Sequence, residues 1–193
     1  MIIALTGTPG TGKTTIAKIL KKEYSVEVIN IHDFSKEAEV IDGYDEKRQS
    51  DIINIKTLDK KIKKYAKNKS LLVLDGHLSH LLTCVSFVII LRCNPIILQN
   101  RLIIKKWGKM KIQENIHAEI LDIIKIEAMN LHSKDHIIEI NTSDTSEKDI
   151  ADLIYMLIES NFSDKNKFNS NSIDWSELLL SNDFNWRLDN NGS

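Results

Sequence analysis

Cysteine is scarce. Cys84 and Cys93 are the whole complement in 193 residues, too few for a disulfide framework or a zinc site. Both sit beside apolar strand patterns and read as buried thiols. Arginine is nearly as rare, with 4 against 22 lysines. The planar guanidinium is the side chain suited to two-pronged phosphate binding. Only Arg48, Arg92, Arg101 and Arg187 can fill such a role. Charge of one sign is missing too. A net charge of −1 gives no overall field to hold free nucleic acid or an anionic membrane. No apolar run approaches the ~20 residues that a membrane span needs. The chain enters a strand pattern directly, without a basic leader, so the reading is a cytoplasmic protein with no signal peptide.

What is present is a strand-helix alternation. Apolar runs at 2–5, 26–31, 71–74, 87–91 and 137–140 are rich in Ile, Val and Leu. They do not alternate with polar residues, which marks strands covered on both faces. Helical patterns lie between them at 13–22, 58–67, 96–104, 112–131 and 149–158. Pro95 suits a first helical turn, and Ser146 precedes the last helix with Glu147 and Asp149 in its first turn. The expected fold is a doubly wound α/β domain. Its boundary is set at 1–160, with an Asn/Ser-rich linker and short tail at 161–193. Two stretches interrupt the rhythm. Residues 33–54 are polar, and 105–111 ("KKWGKMK") are short and basic around Trp107. Such interruptions are where lids and substrate loops sit.

The chemistry begins at Gly7-Thr8-Pro9-Gly10-Thr11-Gly12-Lys13-Thr14, a full match to G-x-x-x-x-G-K-S/T between a strand and a helix. Glycines let backbone N–H groups wrap a phosphate, and the helix N-terminus adds positive potential. Lys13 supplies a charge between the β- and γ-phosphates, and the Thr14 hydroxyl is placed to ligate Mg²⁺. Thr15 can reach the α-phosphate. Asp75 ends a solidly apolar strand, where a carboxylate orients the water shell of Mg²⁺. His77 follows two residues on; it either orients a water or is a hydrogen-bonded structural histidine. Lys105, Lys106, Lys109 and Lys111 form either a phosphate-covering flap or a solvated basic turn. Arg101, one turn earlier, is positioned to reach the transferring phosphoryl. Arg92 either holds a carboxylate or touches phosphate.

In order and spacing, "GTPGTGKTT", "DGYDE" (42–46), "DGHLSHLL" (75–82), "VIILRCNP" (88–95), "RL" (101–102) and "ENIHAEI" (114–120) resemble the small atypical adenylate kinases of archaea and eukaryotic nuclei. The resemblance covers residues 1–160. It implies a P-loop NTPase fold with a five-stranded parallel sheet flanked by helices, an NMP-binding insertion near 28–50 and a short lid near 104–114. It implies ATP contacts at Gly10, Gly12, Lys13, Thr14 and Thr15, and roles for Asp75 and His77 at the Mg²⁺–phosphate end; the residues themselves add Lys105 as a cofactor contact, Thr14 and Asp75 as metal contacts, and Lys13 and Arg101 as catalytic groups. ATP and Mg²⁺ are the implied cofactors. The implied reaction is ATP plus AMP, or another NMP, to ADP, with an ATPase side activity. The implied partners are a small-subunit ribosomal protein and the pre-ribosomal particle, in small-subunit rRNA maturation. Where the family's lid reads Arg-Gly-aromatic, this chain has Lys105-Lys106-Trp107, and a lysine cannot clamp two oxygens. Three readings stand at this point: an NMP kinase, an ATP-switched assembly factor, and a kinase of another small metabolite.

Overall fold

β1 (Ile2–Gly7) runs between two parallel neighbours, β5 (Leu72–Asp75) and β6 (Phe87–Arg92). β2 (Val28–Asn30) pairs with β5, and β7 (Ile137–Asn141) pairs with β6, giving the parallel order β2-β5-β1-β6-β7. The computed structural model describes residues 1–46, 50–165 and 173–179. Arg48, Arg187 and linker residues 166–172 lie outside the described residues.

All five expected strands are present, and apolar contacts on both faces explain their unbroken Ile/Leu/Val runs. One face packs Ile3, Leu5 and Ile89 against Ile16, Leu20 and Ile154 of α1 (Lys13–Glu23) and α7 (Glu147–Glu159). The other packs Ala4, Leu74 and Val88 with Leu58 and Ile62 of α3 (Ile55–Tyr65) and Ala128 of α6 (Ile123–Leu131). Cys93 is fully buried, as expected; Cys84 is half-buried, and both are free thiols. Among the described residues no helix is long and apolar enough to cross a membrane.

The polar stretch at 33–54 folds into more than a loop. α2 (Ile31–Glu37) begins at once after β2, capped by Asn30, and is followed by an antiparallel hairpin of β3 (Ile41–Asp45) and β4 (Ser50–Ile53). The hairpin forms its own two-stranded sheet and leaves Tyr44 and Ile52 exposed. With so little of it buried, neither a strand nor a helix period shows in its sequence. Asn54 closes the insertion: its Oδ1 accepts from Thr57 N to cap α3, and its Nδ2 donates to Asp42.

The helix expected over 112–131 is two helices. α5 (Lys109–Ile120) starts inside the basic stretch, after Gly108 and α4 (Pro95–Ile104), and α6 follows a break at Asp122. Asp122 takes a left-handed φ of 54°, a conformation Asp tolerates better than most residues. The break aims its carboxylate at Arg92, whose Nη2 donates to it. A tertiary partner thirty residues away ends a helix whose local pattern continues.

Candidate active site

The register places the carboxyl ends of β1, β2 and β5 side by side, with Leu5 and Asn30 both opposite Asp75. Ligands of open α/β sheets bind at this edge, where the strand order reverses. A cleft of about 840 Å³ opens there. The phosphate-binding loop and Asp75–Leu78 line it, as do α2 and β4 from the insertion and α5 and α6 from the lid side.

Two glycines of the loop share a left-handed backbone, and one of them is also closely packed. Gly12 has φ of 100° and an open approach, so its backbone conformation alone demands glycine. Gly10 has φ of 101° as well, and in addition a Cβ on it would lie 2.8 Å from Leu98 and 3.0 Å from Leu102 on α4. Lys13 folds back under the loop. Its Nζ donates to Gly7 O at 2.7 Å and Thr8 O at 3.0 Å. Burial pushes its ammonium down to about 8, against the opposing pull of Asp75 and Glu119 and with help from Lys105. A phosphate arriving in the loop would replace two carbonyl acceptors with an anion.

Asp75 forms the floor. Its Oδ2 accepts from Thr14 Oγ1 at 3.0 Å and from Asn30 Nδ2 at 3.2 Å. Its Oδ1 is buried with no hydrogen-bond partner among the described residues. A buried carboxylate oxygen without a donor is costly. Together with the Thr14 hydroxyl it offers the hard oxygen donors that Mg²⁺ prefers, the rest of its octahedron being waters and substrate phosphates. These residues therefore fit a Mg²⁺–nucleotide. Asn30 joins the site without belonging to any contiguous motif, its one sequence signal being that of an Asn ending a strand before a helix. Its Oδ1 caps α2 through His32 N and Asp33 N while its Nδ2 steadies Asp75.

His77 stands in the cleft. Its backbone carbonyl accepts from Thr6 Oγ1, which fixes the turn after β5. Desolvation by the cleft walls, then the Lys13 ammonium, hold its imidazole down at about 4, so it is neutral at pH 7. His80 is the structural histidine of the pair: it is buried, linked to Thr6 through Nδ1 and to Glu127 through Nε2.

The structure brings Gly10, Gly12, Lys13, Thr14, Thr15, Asp75, His77 and Lys105 together as lining of one cleft, joined by Trp107 and Lys111. Arg101 is not among the lining residues. Its Nη2 donates to Thr142 O at 2.9 Å, at the end of β7. The helical turn that separates it from the lid directs it to the strand edge rather than toward the loop, so the expectation that it reaches the phosphoryl is not met in this conformation. Arg92 is settled as a carboxylate holder, bonded to Glu119, Asp122 and Glu139. Sequence reasoning also passed over Glu119. This buried side chain accepts from Thr8 Oγ1 in the phosphate loop, from Arg92 Nε and from Cys93 N. His32, bonded to Asp51, forms the insertion wall.

Comparison with known proteins agrees with this geometry. Residues 3–122 match the family described as AAA domain, one of the P-loop groups. A protein of Pyrococcus abyssi named "Putative adenylate kinase" is 39% identical over 181 residues, covering 92% of this chain and 93% of its own length. Its namesake in Methanocaldococcus jannaschii is 37% identical over 177 residues, covering 92% and 94%. The chain belongs to this adenylate kinase-like family of P-loop nucleoside-monophosphate kinases. Among solved structures, shikimate kinase from Acinetobacter baumannii superposes with a TM-score of 0.56 at 19% identity, over 83% of this chain and 93% of its own. YorR from Bacillus subtilis, solved with phosphorylated GDP, superposes with the same TM-score at 17% identity, over 83% and 97%. These two report the shared fold.

Proposed function

We propose that this protein transfers the γ-phosphoryl group of ATP to AMP or a related nucleoside monophosphate, reversibly, and hydrolyses ATP as a side reaction. One observation carries the reading: the loop-held Lys13, the Thr14 hydroxyl and the unpartnered Asp75 Oδ1 converge on one floor, facing an insertion wall across a cleft of about 840 Å³. That volume lies within the range of sites that enclose small organic ligands.

The roles follow from position. Backbone N–H groups at Gly10 and Gly12 and the N-terminus of α1 cradle the phosphates. Lys13 exchanges its carbonyl partners for phosphate oxygens and neutralises charge that spreads in the transition state. Thr15 sits one residue further for the α-phosphate. Thr14 and Asp75 would hold Mg²⁺, which when bound screens the phosphate oxygens. The monophosphate lies against the insertion, between His32 and Asp51 and the floor. Lys105 and Lys111 close over the phosphates and exclude water. Residues 1–160 constitute the transfer unit.

The second reading has its own observation. His77 is neutral, faces the cleft and has Lys13 as a charged neighbour, which suits it to orient a water toward the γ-phosphate. On this reading ATP hydrolysis times the binding and release of a small-subunit ribosomal protein during rRNA maturation in the cytoplasm. Its support is the motif resemblance, together with that histidine. Product analysis separates the two, with ATP and Mg²⁺ alone and then with each monophosphate. The kinase reading expects ADP formation that rises steeply with AMP; ADP no faster than ATP hydrolysis alone would sink it. The switch reading expects partner affinity to depend on the bound nucleotide; equal affinity with ATP, ADP and no nucleotide would sink it, because equal affinity shifts nothing.

A further inference from the structure

The short tail segment at 173–179 sits on the back of the lid helix. Ser176–Leu179 forms a single 3-10 turn, and Asp174 Oδ1 accepts from Ser176 N to shape its entry. Trp175 is half-buried there. Its ring packs on the cluster of Leu98, Leu102, Ile112, Ile116 and Ile120, which is the seam between α4 and α5. Trp107 of the lid packs against the same cluster. The indole Nε1 donates to Glu119 Oε1 at 3.3 Å.

Glu119 is the point where this contact meets the catalytic loop. Its Oε2 accepts from Thr8 Oγ1 at 2.5 Å. Its Oε1 also accepts from Arg92 Nε at 2.8 Å and Cys93 N at 3.1 Å, at the end of β6. The carboxylate is 2% exposed, so each donor on it is felt strongly. α5 itself turns its other side to the cleft, with Lys111, Glu114, Asn115 and Ala118 as lining. One helix therefore carries lid residues on its front, and on its back a carboxylate that holds the phosphate loop and receives the tail.

We propose that Trp175 is a positioning residue for phosphoryl transfer: through Glu119 and the α4–α5 seam, the tail sets the phosphate loop and the lid helix relative to one another. The inference rests on the kinase reading for its turnover measurements, but its contact with the nucleotide-binding loop is independent of which acceptor is used. Losing the tail contact frees α5 to shift on α4 and loosens Thr8 at the same time. ATP then binds more weakly, and the lid excludes water less well, so hydrolysis gains on transfer to AMP.

The test compares Trp175→Phe, which keeps a ring in the seam and loses the N–H, with Trp175→Ala and with a chain stopped after residue 172. Steady-state turnover is measured with ATP alone and with ATP plus AMP, and equilibrium binding with a non-hydrolysable ATP analogue, alongside the melting temperature. Expected is a rise of about three- to tenfold in the KM for ATP and in the analogue Kd for Trp175→Ala, the scale of one ordinary net hydrogen bond felt at the loop. The ratio of hydrolysis to AMP phosphorylation rises with it, and Trp175→Phe falls between. Unchanged KM, Kd and ratio in both substitutions would overturn the proposal. A uniform fall in kcat that tracks the folded fraction, with KM and ratio fixed, would overturn it too, as a purely structural role. Should Trp175→Ala not fold, Trp175→Phe decides. Should the parent form no AMP-dependent ADP, the kinase reading fails by that control, and the analogue Kd still decides the role of Trp175.

Discussion

Thr14 Oγ1 donates to Asp75 Oδ2 at 3.0 Å and leaves Oδ1 of the same carboxylate buried with no partner among the described residues. The pair spans the first turn of α1 and the last residue of β5, so the two strongest sequence signals meet in a single hydrogen bond. It also defines a direction, because the free oxygen is the one available to a metal-nucleotide.

Asp75→Asn tests that direction. The amide keeps the shape and the contact with Thr14, and removes the charge that would face Mg²⁺. Phosphoryl transfer should fall on the order of a hundredfold or more, the scale of losing a metal's charge stabilisation in the transition state. Binding of ADP without Mg²⁺ should be unchanged or tighter, since a negative charge leaves the floor. Coupled-assay turnover set beside calorimetric binding, each with and without Mg²⁺, gives the comparison. The same loss of affinity with and without the metal would show that Asp75 only holds the loop.

Lys13 gives a pH dependence with a definite sign. Burial lowers its ammonium to about 8 in the free protein, whereas phosphates beside it favour the charged form. Binding therefore takes up protons near pH 8, about half a proton per nucleotide there by linkage, and weakens as pH rises through 8. Calorimetry of ADP binding in two buffers of different ionisation enthalpy reads the uptake directly. Lys13→Met should abolish both the uptake and turnover; retained turnover would refute the phosphate-loop assignment.

His77 differs from an exposed histidine in a way that titration can see. Its folded value of about 4 lies below the unfolded value near 6.5, so in the free protein its ring proton signals should barely move between pH 8 and 6, where an exposed histidine titrates. Addition of a nucleotide brings negative charge beside it and raises the midpoint. At ATP concentrations well below KM, where turnover reports the free protein, ATP hydrolysis should show no loss between pH 7 and 6 from this residue. His77→Ala should lower hydrolysis more than AMP phosphorylation, and an equal fall in both would assign His77 to the site as a whole rather than to the water.

Much of this architecture is local and therefore visible along the chain. Strands covered on both faces write themselves as runs such as Phe87–Arg92, and the phosphate loop is a contiguous motif. What escaped is held by partners far apart. The helix break at Asp122 answers to Arg92, and the hairpin at Ile41–Asp45 and Ser50–Ile53 buries too little to leave a period. Glu119 looks like one charge among several in "ENIHAEI", and its donors come from residues 8, 92, 93 and 175. Arg101 shows the converse: spacing placed it one turn from the lid, but the direction of that turn sends it to Thr142.

Arg92 does not line the cleft, yet it joins three carboxylates behind it. It is 2% exposed and bonds Glu119, Asp122 and Glu139, with Lys125 the other cation of the group, 2.8 Å from Glu139 and 3.7 Å from Asp122. Arg92→Met fills much of the same volume but strands Glu119 with one fewer charge-assisted donor in a buried place. Breaking a buried pair from one side costs about 3–5 kcal/mol, far more than its net worth against an apolar replacement. Urea denaturation should therefore show a loss of that size in Arg92→Met. The double change Arg92→Met with Glu119→Leu should recover part of it, because no buried charge is then left alone. The double variant should still bind ATP poorly, since Thr8 loses its acceptor and Trp175 loses its anchor. Recovery of stability together with full ATP affinity would show that the carboxylate serves the fold and not the loop.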